Sequence, residues 1–160
     1  MAKKENKTNV MRILDAAGIR YRPHRYENGD GKIDGLSVAE KLGQDVDKVY
    51  KTLVTRGASG DYFVFVVPVA GELDLKAAAK AVGEKSVEMI HVAQINRVTG
   101  YVRGGCSPIG MKKSYRTVID KSCEALDAMF VSGGRIGAQV ELAPADLIRL
   151  TGAATARIAQ

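Results

Sequence analysis

Residues 61–69 read DYFVFVVPV. Successive side chains of a strand point to opposite faces, so a run that is apolar at every position from Tyr62 to Val67 has no face suited to water. It predicts a central strand covered on both sides. The stretch just before it, VYKTLV at 49–54, is also strand-like, but Lys51 shares a face with Val49 and Leu53. A lysine between apolar neighbours in a strand interior either snorkels to an edge or lines a cavity. The adjacent Thr52, and the polar face of residues 20–26, favour the cavity.

The remaining elements follow outward from this pair. Val10, Ile13, Leu14 and Ala17 recur at helical spacing and Gly18 stops them. IRYRPHRY (19–26) alternates, with Ile19, Tyr21 and Pro23 on one side and Arg20, Arg22, His24 and Tyr26 on the other. Pro23 has no N–H for a ladder and predicts an edge strand. ENGDGKIDG (27–35) is a polar loop, and SVAEKLG (37–43) is a short helix with Ser37 and Glu40 as a capping box. DLKAAAKAVG (74–83) is a helix with Asp74 as cap and Gly83 as stop, SVEMI (86–90) a strand, and VAQINRVTG (92–100) a short helix. Strands follow near YRTVID, AMFVS and AQVEL, the last two joined by the turn SGGRIG, and Pro144 opens a final helix that Gly152 closes. Mixed strands and interspersed helices predict an α+β fold around one curled, mixed sheet, without strict doubly wound order.

A chain of 160 residues, 46% hydrophobic and free of repeats or linker-like shifts, fits one domain spanning residues 1–160. Cys106 and Cys123 form no C-x-x-C, and His24 and His91 lie far from them, so neither a structural zinc site nor a disulfide framework is expected. A reducing, cytoplasmic setting fits. The first ten residues lack an apolar signal core, and the longest apolar run is too short to span a bilayer, which predicts a soluble protein. The net charge of +6 is concentrated. Residues 1–25 carry seven Lys or Arg against two acids, and residues 96–116 carry five against none. A localised positive surface suits a polyphosphate partner, although charge alone fits a solvated basic face as well.

Motifs narrow the chemistry. G-x-S-x-G, the Walker loop and H-E-x-x-H are all absent. GGRIG resembles the clamp of KH domains, but it lies between strand-like runs rather than helices. In GYVRGGCSPIG (100–110), Cys106 has the basic neighbours Arg103, Lys112 and Lys113, which would lower a thiol pKa, yet no histidine is near in sequence. Gly104 and Gly105 let backbone N–H groups approach a ligand, as an oxyanion or carbonyl pocket requires, or else they form a tight turn.

Taken in order, VYKTLV, VPVAGELDLK, GYVRGGCSPIGMKK, VSGG and VELAPADL resemble the YbaK family of freestanding aminoacyl-tRNA editing domains, relatives of the insertion domain of bacterial prolyl-tRNA synthetases. The resemblance runs from the first helix to the last. It implies a deacylase that removes cysteine from the proline tRNA. The family's lysine corresponds to Lys51, its pocket tyrosine to Tyr26, its hydroxyl neighbour to Thr52, its loop glycine to Gly104 and its serine to Ser132, with Gly105 and Gln139 also against the substrate. In the family mechanism the substrate's own thiol attacks its ester carbonyl and leaves as a thiolactone, so Lys51 and Gly104 would be central and no protein nucleophile, metal or cofactor is implied. Partners would be an aminoacylated tRNA and, as an optional escort, prolyl-tRNA synthetase, but not DNA or a membrane. Arg20, Arg22, Arg103, Lys112 and Lys113 are the candidate tRNA contacts.

The chain departs from the family pattern at two places. Gln139 stands where close relatives carry an aspartate, and the 27–35 loop lacks a pocket aromatic. Gln139 can hydrogen-bond an amino group but cannot offset its charge. Three other readings remain: a deacylase for another misacylated tRNA such as Ala-tRNA(Pro), a noncatalytic tRNA-binding module, and an esterase that uses Cys106.

Overall fold

The computed structural model describes residues 6–160. Lys3 and Lys4 of the amino-terminal basic stretch, and the first five residues of the segment read as lacking a signal core, lie outside the described residues. The apolar run at 62–67 becomes strand β3 (Tyr62–Pro68), the middle of a five-stranded sheet. Its neighbours are β2 (Tyr50–Gly57), antiparallel, and β5 (Arg116–Asp120), parallel; β4 (Val87–Met89) lies beyond β2 and β8 (Ala154–Ala156) beyond β5. Phe63, Phe65 and Val67 pack with Ala78, Ala79 and Val82 of α3 (Leu75–Val82), while Val64 and Val66 face the opposite core. Both faces of β3 are therefore covered, as its sequence requires.

A smaller third core joins Ala39 to Val49 and Val69, and the second core lies on the other face of β3. Val10, Met11 and Leu14 of α1 (Asn9–Ala16) and Leu147 of α5 (Pro144–Thr151) pack there against a three-stranded antiparallel sheet. That sheet has the order β1 (Tyr21–Arg25), β7 (Ala138–Leu142), β6 (Met129–Ser132), with β1 at an edge where Pro23 is tolerated. The α+β class expected from the sequence holds, but the single curled sheet is divided in two. The ladders touch at one parallel bridge, between Val49 and Phe130. Strand patterns specify faces and not partners, and β6 pairs with β7 across the 133–137 turn while meeting the larger sheet only at that bridge.

Several boundaries also differ. Helix α2 (Gly35–Leu42) starts earlier than expected, capped by Asp34 in place of Ser37. In α1 it is Met11, not Ala17, that joins the core. The 92–100 segment is a turn of 3₁₀ helix followed by α4 (Ile95–Thr99). Strand β8 had no sequence signal, being three residues of ATA. Among the described residues no helix is long and apolar enough to cross a membrane.

Asp120 secures the carboxyl-terminal tail to β5. One carboxylate oxygen accepts the Ile158 and Ala159 N–H groups, each at 3.0 Å, and the other accepts Ser122 N–H at 3.2 Å. Burial alone would raise this carboxyl, but the hydrogen bonds from Ser122, Ile158 and Ala159 outweigh it and hold the group below its ordinary value. A depressed folded-state pKa stabilises the fold above the unfolded value of about 3.9 and loses that contribution as pH falls through the folded value. Urea denaturation should find Asp120→Asn less stable than wild type at pH 7, by about 1–3 kcal/mol, with the gap closing below about pH 4. A gap independent of pH would contradict the role of the carboxylate charge.

Candidate active site

The division between the sheets opens a cavity. Val69 N–H donates to the Val49 carbonyl and Gly57 N–H to the Asp61 carbonyl, both at 2.8 Å, so the odd-numbered residues of β2 bond to β3. Even-numbered residues direct their peptide groups to the other edge. At one end of that edge Val54 accepts Ile90 N–H, and at the other the Val49–Phe130 bridge joins β6. Between these points β6 diverges and the edge at Thr52 is left uncovered. A cavity of about 420 Å³ occupies the gap, lined by Lys51 and Thr52 from β2, Val131 and Ser132 from β6, Ala138 and Gln139 from β7, and by loop residues. Thr52 Oγ1 is buried there and has no hydrogen-bond partner among the described residues. A buried hydroxyl in that state calls for a partner from outside the chain.

Each wall is fixed by identifiable contacts. Lys51 is half-buried, and its ammonium has no ion-pair or hydrogen-bond partner among the described residues. Tyr26 is set by its N–H bond to the Gly137 carbonyl at 3.1 Å, one step past β1. The loop beyond Tyr26 is held by Lys41 of α2, whose ammonium donates to the Glu27 carbonyl at 2.6 Å, Asp30 Oδ1 at 2.8 Å and the Lys32 carbonyl at 2.9 Å. All three ammonium protons are thereby used. Ser132 Oγ accepts Gly134 N–H at 3.2 Å, which leaves its own O–H free for the cavity. Gln139, 3% exposed, exchanges two amide hydrogen bonds with Gln44, at 2.7 and 3.0 Å.

The glycine loop enters from the side. Gly104 lines the cavity at φ +86°, and its N–H has no acceptor among the described residues. A Cβ at this position would stand 2.6 Å from Ile33 Cδ1, so the loop and the 27–34 segment meet here. Gly105 behaves differently. Its N–H is committed to the Val102 carbonyl at 2.9 Å, and a Cβ would stand 3.0 Å from the backbone nitrogen of Ile136, so Gly105 is a packing contact with the 133–137 turn.

Of the residues singled out from sequence, Tyr26, Lys51, Thr52, Arg103, Gly104, Ser132 and Gln139 share the cavity; Gly105 does not line it. Nor do Arg20, Arg22 and His24, although their strand face was expected to line the same cleft. His24 is drawn to Glu141 at 2.9 Å and packs edge-on against Phe130. Arg20, Arg22, Lys112 and Lys113 are exposed, and Lys112 donates to the Arg97 carbonyl at 3.1 Å. Cys106 lines the cavity, but burial pushes its thiol up to about 11, against the lowering expected from its basic neighbours. Its thiol is protonated at neutral pH. Sequence reasoning missed Ile33, Asp34, Lys41 and Gln44. Only Asp34 carried a local signal, as an alternative helix cap three residues before Ser37.

The steric reading of Gly104 can be checked against Gly18, which also has positive φ, +69°, but open space where a Cβ would stand. Gly18→Ala should cost about 1–2 kcal/mol in urea denaturation from backbone strain alone, and Gly104→Ala should cost more. Equal losses would show that Ile33 yields.

Comparisons with known proteins place the whole fold. The family described as the aminoacyl-tRNA editing domain matches residues 36–150. A protein of Enterococcus faecalis with the provisional name Cys-tRNA(Pro)/Cys-tRNA(Cys) deacylase EbsC is 42% identical over 160 residues, covering 99% of this chain and 98% of its own. The uncharacterized protein YwhH of Bacillus subtilis is 25% identical over 109 residues, covering 68% of this chain and 69% of its own. Among solved structures, a provisionally assigned trans-editing enzyme for prolyl-tRNA synthetase superposes with a TM-score of 0.80 at 22% identity, covering 97% of this chain and 99% of that one. The hypothetical protein APE2540 reaches 0.86 at 23% identity, covering 94% and 99%. The family that the five ordered motifs resemble is thus the one whose model matches residues 36–150, and the protein belongs to the aminoacyl-tRNA editing domain family.

Proposed function

We propose that the protein is a trans-editing deacylase that removes cysteine from misacylated Cys-tRNA(Pro). The observation that carries the reading is one cavity in which an unpaired lysine, an orphaned hydroxyl and a free loop N–H converge without an activated nucleophile. Its only cysteine, Cys106, is protonated, and none of its lining residues is a histidine. The relative EbsC is named for cysteine on two different tRNAs, and the constant part of those substrates is the aminoacyl end. A cavity of this size accepts such an end and no more of the tRNA.

In this reading the substrate supplies the nucleophile. The cysteinyl thiol gives up its proton and its sulfur bonds to the ester carbonyl carbon. The tetrahedral intermediate then expels the terminal ribose oxygen, which takes a proton, leaving free tRNA and a cyclic thiolactone. The positive potential of Lys51 favours thiolate and steadies the oxyanion, to which the Gly104 N–H and the Ser132 O–H donate. Thr52 Oγ1 gains its missing partner from the bound aminoacyl group. The walls hold the thiol and carbonyl in a reactive conformer, which is where most of the acceleration of an intramolecular attack arises.

Arg103 at the cavity, with the exposed Arg20, Arg22, Lys112 and Lys113, supplies the contacts to acceptor-stem phosphates. The setting is cytoplasmic, where charged tRNA is found, and prolyl-tRNA synthetase is the enzyme whose errors would be corrected. The test is release of cysteine from charged proline tRNA. Lys51→Ala should slow it about 10–100-fold, while Cys106→Ala should leave it within about twofold. Equal rates for wild type and Lys51→Ala would remove Lys51 from the mechanism, loss of activity in Cys106→Ala would favour a protein-thiol esterase, and salt-sensitive tRNA binding without release above the buffer control would indicate a noncatalytic binder.

A further inference from the structure

The cavity carries two cations, Lys51 and Arg103, and a single carboxylate, Asp34. An aminoacyl ester brings an α-ammonium group into the same space, on the carbon next to the carbonyl on which negative charge develops. Those two charges need opposite partners, and the cations serve only the second. Gln139 is a neutral amide already engaged by Gln44. Nearby carboxylates are committed elsewhere, Asp30 to Lys41 at 2.8 Å and Glu141 to His24 at 2.9 Å.

Asp34 is placed and kept in place. It is the N-cap of α2, with Oδ2 accepting Ser37 N–H at 3.1 Å and Oδ1 accepting the Ser37 hydroxyl at 2.7 Å. Each oxygen keeps lone-pair capacity, and no cation stands within ion-pair distance among the described residues. The hydrogen bonds from the Ser37 side chain and backbone hold the carboxyl below its usual range, so it is ionised at neutral pH. Two contacts prevent its withdrawal. Lys41 clamps the loop that leads into it, and Gly35 lies so close to Val69 that a Cβ would stand 2.1 Å from Val69 Cγ1.

We propose that Asp34 is a specificity-determining residue that pairs with the α-ammonium of the aminoacyl end, from the wall of the cavity formed by the start of α2. The inference rests on the deacylase reading above. Asp34 is exposed, so the pairing is screened by solvent and its expected effect is modest, about three- to fivefold in affinity.

The probe is a non-hydrolysable 3′-cysteinylamido analogue of the terminal adenosine, compared with the same compound in which hydrogen replaces the α-amino group. Binding of each to wild type, Asp34→Asn and Asp34→Ser is measured by calorimetry at low salt. Asn and Ser cap helices as well as Asp does, so both variants keep α2 and lose only the charge. Wild type should favour the amine-bearing analogue about three- to fivefold, and both variants should bind the two analogues equally. An undiminished preference in the variants, or none in wild type, would overturn the role of Asp34 while leaving the deacylase reading intact. Failure of wild type to bind either analogue, together with no turnover of any charged tRNA, would overturn that reading and this inference with it.

Discussion

The site depends on one backbone constraint, the parting of β2 and β6 after the Val49–Phe130 bridge. Had the parallel pairing continued, Ser132 would lie against the edge of β2 and Thr52 would have a ladder partner. Instead β6 runs on with β7 into the 133–137 turn, and Thr52 has no ladder partner on that edge; its side-chain hydroxyl is also buried without a partner among the described residues. An uncovered strand edge inside a protein is costly unless something else pairs with it. Here it forms the wall of a cavity. The core that packs Val64 and Val66 of β3 against Met129, Val131 and Val140 of the smaller sheet holds the two sheets apart, so the gap resists collapse.

The chemistry follows from what the gap contains. Among the described residues that line the cavity, Cys106 is protonated and none is a histidine, whereas Lys51, Ser132 and the Gly104 N–H offer positive charge and hydrogen-bond donors. In the proposed mechanism such a site serves a substrate that carries its own attacking group, and it must hold that substrate in one conformation. The clamps on the walls answer that need. Lys41 fixes the loop after Tyr26 with three hydrogen bonds, and Gln44 locks the amide of Gln139. Both residues flank the carboxyl end of α2, so one short helix braces two walls while its first residue packs on Val69.

Short-range patterns carried much of this in the sequence. The unbroken apolar run of β3, the lysine set among apolar neighbours in β2, the Asp74 cap of α3 and Pro144 at the start of α5 each have a local physical cause, and each was legible. The convergence of Tyr26, Lys51, Gly104 and Ser132 came from the ordered family motifs, not from any spacing. What was illegible depends on contacts far apart in the chain. Asp34 and Ser37 are both competent caps, and the earlier start of α2 goes with the close fit of Gly35 on Val69. Gln44 and Gln139 are 95 residues apart. Arg103, Lys112 and Lys113 suggested a reactive Cys106, but burial outweighs such charges, and burial is a tertiary property.

The central claim is that the cavity positions a substrate that attacks itself. It is tested most directly by identifying the first product released from Cys-tRNA(Pro) in ¹⁸O-labelled water. The account predicts that cysteine thiolactone appears first, free of ¹⁸O, and that label enters only as the thiolactone later hydrolyses. Free cysteine carrying ¹⁸O from the outset, with no thiolactone trapped at early times, would contradict it by showing that water attacks the ester directly.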